Sequence, residues 1–329
     1  MRRRQFITLF GGAAAAWPLM ARAQQSGRVR RIGLLLPFSK DNAELQADFA
    51  AFKQSLQGAG WTEGRGVRFE PGYTDGSAEQ NRIAAAELVA AAPDVILAYG
   101  NPTVGALRQA TQTIPIVFIQ VSDPVGSGFV TNLARPGANI TGFHNFETAI
   151  GGKWLELLKQ IAPEMRRTMV VHHPDIAANV AFFRAAEAAS GSLGVKVTAA
   201  GLRNAAEIEP ALTAFAGEPN GGLIVAPYPL VIANRDRIIA LTARLRLPAI
   251  YSFRFFPAYG GLVSYASDQK AQWRGAASYI DRILRGVNPG ELPLQLPTKY
   301  ELIINRKTAK AIGLEIPDKF LITADEVIE

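Results

Sequence analysis

Residues 114–143 read IPIVFIQVSDPVGSGFVTNLARPGANITGF and contain the pattern that decides the fold. The stretch begins with an apolar run rich in β-branched residues, which predicts a buried strand. Ser122 and Asp123 follow this run, and Pro124 then favours a helix over residues 124–134, before a second strand. Open parallel sheets bind ligands where the carboxyl end of a strand leads into a helix, so a binding site is expected there.

Strand and helix patterns alternate from residue 30 to the end of this stretch. Four strand–helix units in succession predict a doubly wound parallel sheet with right-handed crossovers. A second series of similar size follows, and one tidy sheet cannot hold so many strands. The predicted fold class is therefore α/β, with two doubly wound parallel-sheet lobes.

The first 23 residues have the pattern of a cleaved export signal. Arginines at positions 2–4 precede an apolar stretch, and Ala21-Arg22-Ala23 forms an A-x-A cleavage signal. Arg3 and Arg4 also fit a twin-arginine signal. The alternative is an amphipathic first helix, but two glycines and a proline interrupt it. We therefore expect export to the periplasm, with cleavage after Ala23.

Cleavage would also change the charge argument. The full chain has a formal charge of +7, and removing four arginines and no acidic residue lowers it to +3. A nearly balanced chain offers no basic surface of the kind that binds nucleic acid, so no nucleic-acid partner is expected.

Composition and motifs argue against catalysis. The chain has no cysteine and only three histidines, which leaves little from which to build a thiolate or metal site. His172 and His173 are adjacent on a predicted strand and point to opposite faces. The sequence contains no G-x-S-x-G, H-E-x-x-H or P-loop motif. We predict no enzyme activity, no metal and no cofactor.

Several fragments, in a fixed order, connect the chain to a known family. They are GAGWTEGR at 58–65, DPVGSGFV at 123–130, NITG at 139–142, KWLELL at 153–158, GGLVSY at 260–265, DRILRG at 281–286 and PTKYEL at 297–302. Each fragment alone is weak, but together they span nearly the whole chain. The chain resembles the tryptophan-type ABC-transporter substrate-binding proteins, which have a type I periplasmic-binding-protein fold.

The resemblance implies a function and partners. It implies an exported solute-binding protein of an ABC importer, a monomer that captures a small carboxylate ligand by hinge closure and delivers it to a membrane permease. The ligand would be an aromatic or branched amino acid, or an aromatic acid. Two alternatives stay open: a periplasmic sensor that docks on a chemoreceptor or kinase, and an exported α/β enzyme. The sequence departs from the family pattern at Ala138, 172–179 and 251–258. The last two segments lie where the second lobe would contact a ligand, so they leave open whether the ligand is the family's aromatic amino acid.

The resemblance also implies three hinge crossings between the lobes, which we place at about 140–146, 262–268 and 292–299. The predicted N-terminal lobe then contains residues 28–143 plus 266–296. The predicted C-terminal lobe contains residues 144–265 plus 297–329.

Candidate ligand-binding residues in the first lobe follow its strands. Asn101 and Thr103 flank a proline at a predicted helix start. Either Asn101 only caps this helix, or the free N–H groups of its first turn and the Thr103 hydroxyl receive a ligand carboxylate. Asp123, after Ser122, either caps its own helix or accepts a ligand ammonium. Phe38 and Ser39, after the first strand, either place an aromatic ring and a hydroxyl on the same rim or belong to an ordinary loop with one packed phenylalanine.

In the second lobe, aromatic residues follow two strands. Tyr228 lies between two prolines, and Tyr251, Ser252 and Phe253 end a later strand. These rings are candidates to enclose an apolar ligand group, although some of them are expected to be core. Arg254 is either a second carboxylate anchor or a surface arginine.

Overall fold

The computed structural model describes residues 28–329. The predicted signal peptide at residues 1–23 lies outside the described residues. Within the described part of the chain, no helix has both the length and the apolar character needed to cross a membrane.

The first sheet has five parallel strands in the order β2-β1-β3-β4-β5. The strands are β1 (Arg30–Leu36), β2 (Val67–Tyr73), β3 (Val95–Tyr99), β4 (Ile116–Val121) and β5 (Ile140–His144). The helices between them are α1 (Ala43–Gly58), α2 (Ala78–Ala90) and α3 (Gly100–Ala110). Leu34 packs in one core cluster and Leu35 in another, as expected for a strand whose two faces are both covered.

The second sheet has seven strands in the order β12-β11-β10-β9-β8-β6-β7. Its strands are β6 (Arg167–His172), β7 (Lys196–Gly201), β8 (Gly221–Val225), β9 (Ala249–Tyr251), β10 (Val263–Ser267), β11 (Tyr300–Asn305) and β12 (Glu326–Ile328). Its pairings are parallel except that of β10 with β11. The two-lobed α/β fold class is confirmed.

Nine further helices belong to the part of the chain after β5. They are α4 (Ile150–Ile161), α5 (Ala177–Leu193), α6 (Ile208–Ala216), α7 (Pro229–Ala233), α8 (Arg235–Arg244), α9 (Phe255–Ala258), α10 (Gln269–Leu284), α11 (Arg306–Ile312) and α12 (Asp318–Leu321). Two short 3₁₀ turns lie at Ala205–Glu207 and Pro289–Glu291.

The chain passes between the two sheets three times. It leaves the first sheet after β5, returns after β10, and leaves again before β11. On its return, α10 packs against the first sheet, where Trp273 and Ile280 join the core cluster that contains Phe52. We call the first sheet with α1–α3 and α10 the first lobe, and the second sheet with the remaining helices the second lobe.

The helix predicted at 124–134 is wrong. The structure has a series of turns there, in which the Ser127 N–H donates to the Asp123 carbonyl and the Phe129 N–H to the Pro124 carbonyl. Asp123 has a φ of 44° and Gly128 a φ of 71°, so the backbone leaves the helical region at both ends of the first turn. A proline after a polar residue is a start signal, but it does not extend a helix across glycines.

Two smaller predictions also differ from the structure. The helical pattern of residues 231–246 predicts one continuous helix, but the structure breaks it at Asn234 into α7 and α8. Asn234 has φ −108° and ψ 21°, and its side-chain amide donates to the Leu230 carbonyl. The short elements α9, α12 and β12 were not predicted, because segments of three or four residues carry no measurable period.

Candidate ligand-binding site

A void with a cavity volume of about 30 Å³ lies between the lobes. It lies where the strands β3, β4, β8 and β9 end, which is the edge at which open parallel sheets bind ligands. The first lobe and the crossing after β5 supply Pro37, Tyr99, Gly100, Asn101, Pro102, Gln120, Ser122 and Asn145. The second lobe supplies Ile176, Pro227, Tyr228, Pro229, Ile232 and Phe253.

The N-terminus of α3 lies at the void without a side-chain cap. Tyr99 occupies the cap position, and the helix begins at Gly100. Asn101 therefore lies inside the first turn, and the alternative in which it caps the helix is wrong. Free N–H groups and the positive end of the helix dipole at such a terminus favour a negatively charged ligand group.

Asn101 instead links α3 to the end of β4. Its side-chain amide donates to the Ser122 carbonyl over 2.7 Å and to the Ser127 hydroxyl over 2.9 Å. Its side-chain oxygen accepts the Ser122 N–H over 2.9 Å. These bonds hold the two strand ends of the first lobe in one arrangement around the void.

Gln120 has an unusual backbone conformation beside the void. Its φ is 55°, and the pairing of β4 with β5 shifts register between Phe118 and Val121. A residue without glycine's freedom in this region costs about 1–3 kcal/mol, and such strain is concentrated at functional sites. The Gln120 N–H donates to the Gln272 side chain over 2.9 Å, which supports the strained turn from α10.

Asn145 connects the residues of this turn. The Ser122 hydroxyl donates to the Asn145 side-chain oxygen over 2.7 Å. The Asn145 amide nitrogen lies 3.3 Å from the Gln120 carbonyl and 3.4 Å from its side-chain oxygen. Because Asn145 lies in the crossing after β5, the network ties the wall of the void to a connection between lobes.

The second lobe contributes an aromatic wall. Tyr228 lies before Pro229, the first residue of α7, and its buried hydroxyl has no hydrogen-bond partner among the described residues. Burial raises the pKa of Tyr228 far above its usual range, so the hydroxyl stays a proton donor at neutral pH. Phe253 is also buried and lines the void.

Four predicted site residues therefore line the void: Asn101, Ser122, Tyr228 and Phe253. The other predicted residues do not. Phe38 packs edge-on against Tyr99 with ring centroids 4.7 Å apart, and Ser39 is exposed.

The remaining predicted residues have structural partners. The Thr103 hydroxyl donates to the Tyr99 carbonyl over 2.8 Å, and the Asp123 carboxylate accepts the Gly126 N–H over 3.0 Å. Asp123 thus caps a turn, and the geometry does not support its contact with a ligand ammonium.

On the second lobe, Tyr251 stacks on Phe256 and its hydroxyl lies 3.0 Å from the Thr242 hydroxyl. Ser252 is buried outside the lining of the void. Arg254 forms ion pairs with Glu326 and Glu301, at 3.1 Å and 3.5 Å, so the structure favours the surface alternative for this arginine.

Sequence reasoning missed Gln120 and Asn145. Gln120 had a signal that was not used: it is the single polar residue in the strand IVFIQV, and a polar side chain in a buried strand needs a partner. Asn145 had no such signal, since its role depends on where the chain crosses between lobes.

Among the described residues that line the void, none is charged. Two acidic residues, Glu44 and Asp48, line a smaller neighbouring void that shares Tyr99 and Ile232 with the first. Glu44 of the first lobe also pairs with Arg235 of the second lobe over 2.7 Å, so the lobes touch directly beside the cleft.

Residues 32–328 match the family described as ABC transporter substrate binding protein. The chain belongs to this family. A tyrosine-binding protein from Clostridioides difficile (strain R20291) is 24% identical over 272 residues, which cover 80% of this chain and 76% of that protein.

Solved structures show the same two-lobed fold. A conserved domain protein from Vibrio cholerae is 26% identical with a TM-score of 0.85, over 91% of this chain and all of that one. An ABC domain from Streptococcus pneumonia in complex with L-Trp is 21% identical with a TM-score of 0.84, over 92% of this chain and all of that one.

A third solved structure shares the fold less closely. A ligand-free, open substrate-binding protein from Clostridium difficile is 22% identical but has a TM-score of only 0.66, over 92% of this chain and 99% of that one.

Proposed function

We propose that this protein is the exported solute-binding component of an ABC importer and captures a small carboxylate ligand between its lobes. The candidate ligands are aromatic or branched amino acids and aromatic acids. The observation that carries the proposal is the void itself, which both lobes line and onto which the uncapped N-terminus of α3 opens. A carboxylate at this terminus and an apolar group against Tyr228 and Phe253 would use both walls.

Ligand capture would act through closure of the cleft. A ligand shifts an equilibrium between open and closed lobes only by the difference between its affinities for the two states. Since the wall residues come from both lobes, a ligand in the void makes its full set of contacts only in the closed form. The three crossings would serve as the hinge, and the closed form would be presented to a membrane permease.

A thermal-shift screen of residues 24–329 against amino acids, aromatic acids, sugars and nucleosides tests this proposal. A ligand at a hundredfold excess over its Kd stabilises the folded protein by about 2.7 kcal/mol, so its midpoint should rise. Ile232→Trp would fill the void from α7 and should abolish the rise. Ile83→Trp, on the exposed side of α2, is the matched control and should keep it. If no carboxylate in the screen raises the midpoint, the proposal is wrong.

Export is tested on the full-length chain in a Gram-negative host. We expect the protein in the osmotic-shock fraction, with a mature N-terminus at residue 24. The double change Arg3→Lys and Arg4→Lys should retain the precursor in the cytoplasm if the twin-arginine route is used. Equal export of this variant would contradict that route, and an uncleaved protein in the cytoplasm would contradict export.

A further inference from the structure

Two residues that line the void carry buried hydrogen-bond donors without partners among the described residues. One is the side-chain nitrogen of Gln120 in the first lobe, and the other is the hydroxyl of Tyr228 in the second. Both side chains belong to residues that are at least nine-tenths buried, at 4% and 3% exposure. A buried donor without an acceptor costs about 1–3 kcal/mol, so each of these groups calls for an acceptor that the protein does not supply.

The acceptors that line the void are largely used within the protein. The Ser122 carbonyl accepts the Asn101 amide, and the Asn145 side-chain oxygen accepts the Ser122 hydroxyl. The carbonyl and the side-chain oxygen of Gln120 both face the Asn145 amide nitrogen. The hydroxyl oxygens of Ser122 and Tyr228 retain lone pairs, but neither carries a charge.

None of the nearby carboxylates lines the main void. Asp123 accepts the Gly126 N–H, and Glu44 pairs with Arg235. Asp48 lines the neighbouring void, which shares Tyr99 and Ile232 with the main void. A ligand ammonium in the main void would therefore be buried without an opposite charge, which is strongly unfavourable.

We infer that the ligand is a carboxylic acid with an aromatic or branched apolar group and no protonated amine. This inference rests on the proposed function and narrows its ligand class. The acid offers acceptors to the Gln120 side-chain nitrogen, the Tyr228 hydroxyl and the first turn of α3, and it brings no cation that the void leaves unpaired. Because Gln120 and Tyr228 come from opposite lobes, an acceptor held by both joins the lobes in the closed form.

Isothermal titration at pH 7 with matched pairs of compounds tests the inference. The pairs are phenylalanine and 3-phenylpropanoate, tyrosine and 3-(4-hydroxyphenyl)propanoate, and leucine and 4-methylpentanoate; each pair differs only in the α-amino group. We expect at least one acid to bind tenfold or more tightly than its amino acid. Equal or tighter binding of the amino acids overturns the inference and leaves the proposed capture of a carboxylate standing.

Two variants test the contacts. Tyr228→Phe removes one donor and should weaken acid binding about fivefold to tenfold, while Gln120→Glu replaces the other donor with a carboxylate and should weaken it tenfold or more. Tyr73→Phe and Gln80→Glu make the same chemical changes at exposed positions and should leave the affinity unchanged. Circular dichroism and the unfolding midpoint show whether each variant is folded.

Three further results would overturn the inference. One is acid binding that both site variants leave intact. Another is that the amino acids bind, that the Gln120→Glu substitution does not change their affinity, and that the acids do not bind. The third is that no acid and no amino acid of these pairs binds. In that case the thermal-shift screen with the Ile232→Trp variant decides separately whether the void binds any carboxylate.

Discussion

At the scale of single residues, Asp48 combines burial with acidic neighbours. Burial raises the pKa of its carboxyl to about 6 from 3.8; Lys270 opposes this shift, and Asp268 and Glu44 add to it. The carboxyl lines the small void beside Tyr99, between α1 and the second lobe. At neutral pH the folded protein therefore holds this carboxyl in its charged form although burial disfavours that form.

The pH dependence of stability follows from this shift. Between about pH 4 and pH 6 the folded state binds a proton at Asp48 that the unfolded state has lost, so the free energy of unfolding falls as pH rises through this window. One tenfold change in proton affinity is worth about 1.4 kcal/mol, which gives a loss of up to roughly 3 kcal/mol. Asp48→Asn should therefore be more stable than the natural protein at pH 8 but not at pH 4.

Urea unfolding at pH 4, 6 and 8 measures this effect. Asp41→Asn removes a carboxylate at an exposed position and is the control; it should not alter the slope between pH 4 and pH 6. A stability difference for Asp48→Asn that is constant across these pH values would contradict the assignment.

At the scale of elements, the contact between α4 and α5 depends on a glycine. A Cβ built on Gly151 would lie 2.1 Å from the Phe182 carbonyl oxygen, so the two helices approach backbone to backbone. In α3, a Cβ on Gly105 meets no atom within 4 Å. The same residue type thus has a packing role in one helix and none in the other.

Replacing each glycine with alanine should have opposite effects. Gly151→Ala should destabilise the second lobe by about 1–3 kcal/mol, because the helices must separate to relieve the overlap. Gly105→Ala should stabilise by about 0.5–1 kcal/mol through helix propensity. Chemical unfolding of both variants measures the difference, and stabilisation by Gly151→Ala would show that α4 and α5 do not approach as described.

At the scale of the whole molecule, one ion pair joins the lobes beside the void. Glu44 and Arg235 lie 2.7 Å apart, with side chains 24% and 17% exposed. Arg235 also lies over the Tyr259 ring, 3.5 Å from its centroid, within its own lobe. The arginine is thus positioned by the second lobe and forms its ion pair with Glu44 of the first lobe across the cleft.

Glu44→Gln should shift the molecule toward the open form. A partly exposed ion pair is worth up to about 1 kcal/mol, so the ratio of closed to open protein should fall roughly fivefold. Small-angle scattering of the free protein should show a larger radius of gyration, and added salt should reduce the difference. Glu209→Gln breaks pairs with Arg237 and Arg244 inside the second lobe and should leave the radius unchanged; an equal effect of both variants would exclude an interlobe role for Glu44.

Much of the fold could be predicted because its signals are local. Strands such as β3 and β4 are short apolar runs, and the helices between them have caps such as Asn42 and Ser77. The same local reasoning failed after β4, where Asp123 and Pro124 make a start signal but the glycines that follow permit only turns. Four of the ten predicted site residues line the void, since strand ends can be located from sequence.

The amino-acid sequence by itself determined the two α/β lobes, the strand ends and the family, because periodicity, punctuation and motif order are written along the chain. Only the tertiary structure decided which side chains form the void. Gln120 and Tyr228 are 108 residues apart, and they line one space because the chain crosses between the lobes and the two lobes meet there. Whether a buried donor such as the Gln120 side-chain nitrogen or the Tyr228 hydroxyl has a partner depends on all of its neighbours in three dimensions. No local sequence pattern contains that information.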